Sequence, residues 1–108
     1  MRFEFDWDYR KATANLVKHG ISFEQAVTAF DDDSHQVIDD PKHSTLQEKR
    51  YLLFGEMHPM VTTTRCPRII VIAFTRREPG GIYRVISARP ANRHERRFYY
   101  EAQRKDRL

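Results

Sequence analysis

The six residues Ile-Ile-Val-Ile-Ala-Phe at positions 69–74 decide the fold class of this 108-residue chain. β-Branched residues dominate this strongly apolar run, which predicts a central strand of a β-sheet. Shorter apolar or alternating segments predict further strands at 3–5, 35–39, 51–54 and 82–88. The Glu-Pro-Gly-Gly run at 78–81 predicts a turn. Residues 56–67 contain two prolines and a threonine run, and they predict a long hairpin connection.

The first helix is predicted from the residues at its two ends. Asp8 is an N-cap, and Gly20 supplies a left-handed stop directly after His19. Successive helical residues turn by about 100°, so the side chains separate into two stripes. The polar stripe, whose groups suit a phosphate better than a core, comprises Lys11, Asn15, Lys18 and His19. The opposite, apolar stripe comprises Tyr9, Ala12, Leu16 and Val17.

Two further capping boxes complete the predicted fold. Ser22 and Gln25 begin a second helix, and Asn92 and Glu95 begin a C-terminal helix. The order of elements is strand, two helices, several strands and a helix. This order predicts a single α+β domain over residues 1–108, with helices packed against one face of a curved, mainly antiparallel sheet.

The composition limits the class of protein. Hydrophobic residues make up 40% of the chain and charged residues 31%, which is typical of a folded domain. No apolar run approaches the roughly 20 residues of a membrane span, and the acidic first residues are not typical of a secretory signal. The lone Cys66 cannot form an internal disulfide. We therefore expect a cytoplasmic protein with no membrane contact.

Common metal and cofactor motifs are absent from the sequence. The five histidines show no HExxH spacing, and the chain has no CxxC pair, P-loop, GxGxxG or GxSxG motif. The aspartate runs at 31–33 and 39–40 fit loops and turns better than a cation site. We expect no metal ion and no cofactor.

Charge is distributed unevenly along the chain. Residues 1–64 carry seven Lys or Arg and eleven Asp or Glu, a net charge of −4. Residues 65–108 carry twelve and four, a net charge of +8. Almost all of the basic excess is arginine, whose planar fork suits bidentate phosphate contacts. The second part of the chain therefore predicts a nucleic-acid or acidic-protein partner.

Two groups of residues are candidates for phosphate binding. The first is the polar stripe, for which a solvated helix face is the alternative interpretation. The second comprises Arg76, Arg84, Ser87, Arg89, Arg93, Arg96 and Arg97. Simple alternation along the strand places Arg84 on one face and both Ser87 and Arg89 on the other. A guanidinium within an apolar strand needs an acidic partner or a phosphate, so Glu95 is an alternative, structural partner for Arg84 or Arg89.

Cleavage of RNA without a metal ion requires these residue types. The 2′-hydroxyl attacks the adjacent phosphate, and the enzyme must orient the attack, stabilise the charged phosphorane and move two protons. Arginine and lysine stabilise charge, while histidine, glutamate and tyrosine can move protons. Aromatic rings such as Tyr99 or Tyr100 could stack exposed bases.

Taken together, the motifs resemble the BrnT toxin family. The matching positions are Phe5 to Asp8, Lys11, Asn15, Lys18 to Phe23, Ala26, Phe30 to Asp32, Glu48, Arg50, Gly55, Arg84 to Ala91, Glu95, Arg96 and Tyr99. The resemblance covers residues 3–100, and its most specific parts are Lys-His-Gly and Ile-Ser-Ala-Arg in this order and spacing. The connection at 56–67 looks longer than is usual for the family.

The resemblance implies a RelE/ParE-like fold and a metal-independent endoribonuclease toxin of a type II toxin–antitoxin pair. It also implies an RNA substrate and a BrnA-like antitoxin that joins the toxin in a heterotetrameric complex and alone contacts the promoter DNA. Catalytic roles are expected for Lys11, His19, Arg76, Arg84, Arg89 and Glu95. RNA-binding roles are expected for Lys18, Arg93, Arg96, Arg97 and Tyr99. On fold alone, a non-enzymatic nucleic-acid-binding module or a ParE-like topoisomerase poison is the alternative.

Overall fold

A computed structural model describes residues 3–58, 69–77 and 80–105. The elements in chain order are β1 (Phe5–Trp7), α1 (Tyr9–His19), α2 (Phe23–Ala26), a 3₁₀ helix (Val27–Asp31), β2 (Gln36–Asp39), β3 (Arg50–Glu56), β4 (Ile69–Arg77), β5 (Ile82–Pro90) and α3 (Arg93–Lys105). The α+β class predicted from the sequence is confirmed. The predicted hairpin connection at 56–67 lies mostly outside the described residues, as does Cys66.

The five strands form one sheet in the order β1-β5-β4-β3-β2. The apolar run at 69–74 lies in β4, the middle strand, as predicted. Strands β2 to β5 pair antiparallel with their neighbours, and only β1 pairs parallel, along β5. At the start of β5, both Gly80 and Gly81 have positive φ angles of 105° and 67°, which residues with a side chain rarely adopt.

Helices cover both faces of the sheet, which corrects the expectation of helices on a single face. Alternate residues of β4 point to opposite sides, and both sides are apolar. Ile70 and Ile72 pack in the core with α2 and the 3₁₀ helix, on what we call the helical face. Ile69 and Val71 pack on the other face with Tyr99 of α3. A strand that is apolar on both sides requires a cover on both sides.

A β-bulge in β5 changes the direction of every side chain beyond it. Ala73 pairs with Ser87, whereas the next residue, Phe74, pairs with Val85, so Ile86 is an extra residue in the ladder. Because of this insertion, Val85 and Ala88 both lie in the helical-face core although they are three residues apart.

Asn15 attaches α1 to the free edge of β5. Strand β1 pairs with β5 only as far as Val85, and α1 continues along the edge from there. The Asn15 side-chain amide donates to the carbonyls of Ala88 (2.8 Å) and Ile21 (3.1 Å), and its oxygen accepts from the Ala88 N–H at 3.1 Å. Asn15 is only 7% exposed, so its amide completes the strand edge as a neighbouring backbone would.

The attachment through Asn15 turns the apolar stripe of α1 outward. Tyr9 is 82% exposed, Val17 is 84% exposed and Leu16 is 49% exposed. Within the predicted polar stripe, Asn15 is buried. The expectation that Asn15 faces a ligand together with the lysines is therefore wrong, because its hydrogen-bonding groups are used by the backbone of Ala88 and Ile21.

We predict that Asn15→Ala destabilises the protein by about 3 kcal/mol, because each buried backbone group left without a partner costs about 1–3 kcal/mol. Urea denaturation of the two proteins measures this difference in the free energy of unfolding. Thr13→Ala is the matched control, since Thr13 lies on the exposed side of the same helix and its hydroxyl donates to the Tyr9 carbonyl within that helix. A loss below about 1 kcal/mol for Asn15→Ala would contradict this account of the β5 edge.

Candidate active site

A row of polar residues crosses the sheet on the face opposite α1 and α2. Asp6 of β1 pairs with Arg84 of β5. Arg84 also pairs with Thr75 of β4, and Thr75 pairs on its other side with Arg50 of β3. Directly paired residues project to the same side of a sheet. We call these four residues the polar row. It occupies the end of this face that lies away from the apolar cluster under α3, which contains Phe54, Ile69 and Val71.

The polar row contains three buried atoms without a hydrogen-bond partner among the described residues. They are Asp6 Oδ1, Thr75 Oγ1 and Arg50 Nε. The only ion pair of Arg84 in the described part of the chain joins its Nη1 to Asp6 Oδ2 at 3.3 Å. Arg50 Nε lies 3.9 Å from Glu48 Oε1, which is too long for a hydrogen bond. Unpaired buried polar groups are costly in a native structure, so their concentration in one row indicates a ligand site.

The β5 bulge brings Arg89 onto the same face as the polar row. Arg89 pairs with Val71 and Ser87 pairs with Ala73, both on the face that carries Thr75. The expectation that Arg84 and Arg89 lie on opposite faces is therefore wrong, because simple alternation takes no account of Ile86. Rows on one face of a strand recur about every 6.7 Å, so Arg84 and Arg89 lie about 13 Å apart along β5. We call the surface with Arg50, Arg84 and Arg89 the arginine face.

Glu95 holds Arg89 in place through a bidentate ion pair. The two terminal nitrogens of Arg89 donate to the two carboxylate oxygens of Glu95 at 2.7 and 2.8 Å. Glu95 also completes the capping box of α3, since Asn92 N–H donates to Glu95 Oε1 and Glu95 N–H donates to Asn92 Oδ1. The hydrogen bond from Arg89 lowers the pKa of Glu95, and the same bond raises the pKa of Arg89. Glu95 is therefore a carboxylate that positions an arginine.

His19 ends α1 close to Arg89. Burial lowers the pKa of His19 below its ordinary value of 6.5, and the positive charges of Lys18 and Arg89 lower the pKa further. The imidazole is therefore neutral at pH 7 and can accept a proton. Lys18, the residue before His19, is exposed. Lys11 is also exposed, and it lies one turn before Asn15 on the same side of α1. The helix rise places Lys11 and His19 about 12 Å apart along the axis.

Arg76 lies on the opposite face of the sheet from Arg84 and Arg89. It pairs with Tyr83 in the β4–β5 ladder, and both residues therefore point to the helical face. Its guanidinium stands 5.5 Å from the centre of the Tyr83 ring. The structure thus separates Arg76 from Arg84 and Arg89, with which the sequence grouped it.

The arginines of α3 lie near the arginine face, but they are exposed. Arg93, Arg96 and Arg97 have exposed side chains, and Arg96 donates to the Ala91 carbonyl at 2.8 Å. Tyr99 is different, because it is 2% exposed and its hydroxyl donates to Asp32 Oδ2 at 2.5 Å. Burial and this bond raise the pKa of Tyr99 well above its usual range. Its ring packs in the core and presents no surface for a base.

Three members of the polar row were not among the predicted site residues: Asp6, Arg50 and Thr75. Arg50 and Asp6 were visible only as part of family-like motifs, and Thr75 gave no signal at all. A threonine in an apolar strand is an ordinary residue until the register places it between two arginines. Sheet register of this kind comes from tertiary pairing and could not be read from local sequence.

A family model described as a ribonuclease toxin, BrnT, of a type II toxin–antitoxin system matches residues 7–95. The chain belongs to the BrnT family. No curated protein matches it significantly. The BrnT match contains α1 and the strands β2 to β5, and so it includes Arg50, Thr75, Arg84 and Arg89. Asp6 lies just before the matched region, and most of α3 lies after it.

Two general properties of this BrnT family member follow from the described residues. None of the helices in the part of the chain that the structure describes is long and apolar enough to cross a membrane. Residues 3–58, 69–77 and 80–105 also contain no group of three or more His, Cys, Asp or Glu that could hold a metal ion.

We predict that Glu95→Gln removes an acid-dependent part of the stability. The pKa of Glu95 is lowered in the folded protein, so its contribution is present above the unfolded value near 4.5 and is lost as the pH falls through the folded value. Because Arg89 is 39% exposed, the loss at pH 7 should be only about 1–2 kcal/mol. The difference between the two proteins in urea denaturation should shrink from pH 6 to pH 3.

Glu101→Gln is the control for this measurement, since Glu101 is an exposed carboxylate on the same helix. A gap between Glu95→Gln and the unmodified protein that stays constant down to pH 3 would show that the ion pair contributes no charge-dependent stability.

Proposed function

We propose that this chain is an endoribonuclease that cleaves RNA on its arginine face and so inhibits translation. The observation that supports this proposal best is the polar row, in which Arg84 and Arg50 flank Thr75 and three buried polar atoms have no partner among the described residues. The family assignment to ribonuclease toxins supports the same reaction class. The RNA is the substrate, and the proposal requires no cofactor.

In the proposed reaction the scissile phosphate binds between Arg84 and Arg50. The guanidinium of Arg84 has one carboxylate contact and retains further N–H donors in the described structure. Thr75 Oγ1 lies between the two arginines in the register and can donate to a phosphate oxygen. As the phosphorane forms, its oxygens gain negative charge, and fixed donors of this kind stabilise the transition state more than the ground state.

The proposed chemistry is attack by the 2′-oxygen on the adjacent phosphorus. The O2′–P bond forms and the P–O5′ bond breaks, which leaves a 2′,3′-cyclic phosphate on one fragment and a 5′-hydroxyl on the other. Water takes the proton of the 2′-hydroxyl, because His19 lies beside Arg89, about 13 Å along β5 from Arg84, and is out of hydrogen-bond reach of that hydroxyl. The leaving 5′-oxygen takes a proton from water, while Lys11 and Arg89 contribute positive charge at the edge of the site. Glu95 acts through Arg89 as a positioning residue.

We predict that Arg84→Gln lowers the rate of RNA cleavage by about 100-fold or more, because removing one fixed donor to a developing oxyanion costs a factor of this size. The measurement is the single-turnover cleavage rate of a defined RNA, with the product ends checked for a cyclic phosphate. Arg104→Ala is the matched control, since Arg104 is an exposed arginine near the end of α3. Cleavage should continue in EDTA, because guanidinium groups supply the charge.

Full activity of a folded Arg84→Gln variant would overturn the assignment of the site. Loss of cleavage in EDTA and recovery with zinc or magnesium would overturn the metal-independent mechanism. Intact RNA in arrested cells, together with stalled replication, would contradict the endoribonuclease function and favour a topoisomerase poison.

A type II toxin has an antitoxin protein as its partner. We propose that this antitoxin is BrnA-like, that the two proteins form a heterotetramer, and that only the antitoxin contacts DNA. The exposed side of α1 suits such a contact. Tyr9, Leu16 and Val17 form an apolar stripe at helical spacing, and an exposed stripe of this kind is typical of a protein interface.

The charge of α1 specifies the chemistry of the partner. The helix contains Arg10, Lys11 and Lys18 and no acidic residue. An antitoxin segment that covers the apolar stripe should therefore be an amphipathic helix with acidic residues beside its apolar anchors.

We predict that Val17→Glu weakens antitoxin binding by about 30-fold or more, because an apolar anchor at the centre of an interface contributes at least about 2 kcal/mol. RNA cleavage by the free toxin should not change. Calorimetric titration with the antitoxin measures the affinity, and growth on co-expression measures neutralisation. Leu46→Glu is the control, since Leu46 is a fully exposed apolar residue remote from α1. Unchanged affinity of the Val17→Glu variant would exclude α1 from the interface.

A further inference from the structure

An aromatic pocket opens on the helical face, directly behind the polar row. It has a volume of about 190 Å³, which is enough for one ring but below the usual size of a drug-binding pocket. Five aromatic rings form most of its wall: Phe3, Phe30, Tyr51, Phe74 and Tyr83. Val37 of the edge strand β2, which is 46% exposed, stands on one side of the pocket.

Contacts among the rings hold the pocket open. Tyr51 stacks on Phe74 with their centroids 5.5 Å apart and an interplanar angle of 25°. Phe30 meets both Phe74 and Tyr83 at 5.3 Å. These rings belong to β3, β4, β5 and the 3₁₀ helix, and Phe30 and Phe74 are almost fully buried. The wall is therefore preformed and rigid, which lowers the entropic cost of binding a flat ligand.

Two polar groups distinguish this pocket from a gap in the core. His35 Nδ1 lies 2.8 Å from the Asp32 carbonyl oxygen. A carbonyl oxygen only accepts, so Nδ1 is the donor in this bond and Nε2 is the ring nitrogen that this bond leaves unused. Arg76 also lines the pocket, and its charge stands over the Tyr83 ring. The pocket thus combines an aromatic wall, a histidine ring and a cation.

A second, more polar depression adjoins the pocket and shares Tyr51 and Arg76 with it. Lys49, Arg76 and Arg77 line this depression, against the single carboxylate of Glu48. Neither Arg76 nor Arg77 forms an ion pair with another described residue. A positive surface beside a ring-sized aromatic pocket matches a nucleotide, in which a negatively charged phosphate lies a short distance from a flat base.

We propose that the aromatic pocket binds one unpaired nucleobase of the RNA substrate, and that Arg76 and Arg77 bind the phosphate attached to that nucleotide. The inference rests on the proposed function and names a recognition subsite for it. Adjacent residues connect the two sites: Arg50 and Thr75 point into the polar row, whereas Tyr51 and Arg76 point into the pocket. An RNA strand that passes around this end of the sheet reaches both.

The pocket also gives a role to Arg76, which the polar row does not contain. Base stacking on aromatic rings tolerates every base, while a hydrogen bond between His35 and the edge of the base distinguishes one base from another. Cleavage should therefore show a base preference at a fixed distance from the scissile phosphate. An apolar side chain of a protein partner is the competing occupant, and the two cations Arg76 and Arg77 disfavour it.

The test uses a short 2′-O-methyl oligoribonucleotide, which cannot be cleaved because its 2′-oxygens are blocked. It carries the fluorescent base 2-aminopurine at one position in each member of a series. Stacking in the pocket should quench the fluorescence at one position of the series. Val37→Phe fills the pocket without removing a core residue, and it should weaken binding by roughly 5- to 150-fold and abolish the quenching. Arg76→Gln should weaken binding and lower the slope of affinity against salt by about one.

Ile38→Phe is the matched control, since Ile38 is the next residue of β2, is 39% exposed and points to the other face. It should bind the oligonucleotide as the unmodified protein does. Equal binding and quenching by Val37→Phe and Ile38→Phe would overturn the inference. Loss of antitoxin binding by Val37→Phe with unchanged RNA binding would overturn it as well, and would assign the pocket to the protein partner.

The outcomes separate this inference from the proposed function. If the unmodified protein does not cleave RNA but Val37→Phe still loses oligonucleotide binding, the pocket binds a base and the cleavage proposal fails. If cleavage proceeds and Val37→Phe binds and cleaves normally, the cleavage proposal stands and the subsite is refuted.

Discussion

The side-chain amide of Asn15 is the interaction on which the arrangement of α1 and the adjoining site depends. It satisfies the free N–H and C=O of Ala88 where β1 no longer pairs with β5. A single amide thus replaces one further residue of β1. It fixes the rotation of α1, so that His19 ends beside Arg89 while Tyr9 and Val17 face outward. An unpaired strand edge would be costly here, since it is buried under the helix.

The secondary structure could be predicted closely because its signals are local. Asp8 accepts from two N–H groups at the start of α1, Gly20 has the left-handed φ of 71°, and Asn92 with Glu95 forms the predicted capping box. The rotation of α1 could not be predicted, since hydrophobic periodicity assumes that polar residues face water. Asn15 breaks that rule because its side chain binds the backbone of Ile21 and of Ala88, which lies 73 positions away.

The candidate site was predicted only in part, for a similar reason. Arg84, Arg89 and Glu95 could be named from charge and motif, and the pair of Arg89 with Glu95 was one of two predicted alternatives, whereas the pair of Arg84 with Asp6 was not foreseen. That Arg84 and Arg89 lie on one face was not foreseen, because the extra residue in β5 cannot be recognised from a sequence of ordinary strand-forming residues. Thr75 and Asp6 can be recognised as site residues only from the register of four strands, which places them beside the arginines. Local pattern identifies residue types, and tertiary pairing decides which of them meet.

The two faces of the sheet offer different chemistry at the same end. Arg50 and Tyr51 are neighbours in the chain, as are Thr75 and Arg76, yet each pair divides between a cationic surface and an aromatic pocket. Successive residues of a strand point to opposite faces of the sheet, so alternation alone places the charged surface directly behind the aromatic pocket. The two surfaces are therefore built on adjacent residues of β3 and β4.

Because Ile86 is an extra residue in the ladder, the geometry of β5 depends more strongly on the number of residues in the strand than on their identity. Deleting one residue at this point would heal the ladder, but it would force the segment on one side of it to rotate to the opposite face. Either Arg84 would enter the apolar layer beneath the 3₁₀ helix, or Ala88 would leave the edge that Asn15 binds. A substitution within β5 changes one side chain, whereas a one-residue deletion moves several side chains from the buried to the exposed face or the reverse.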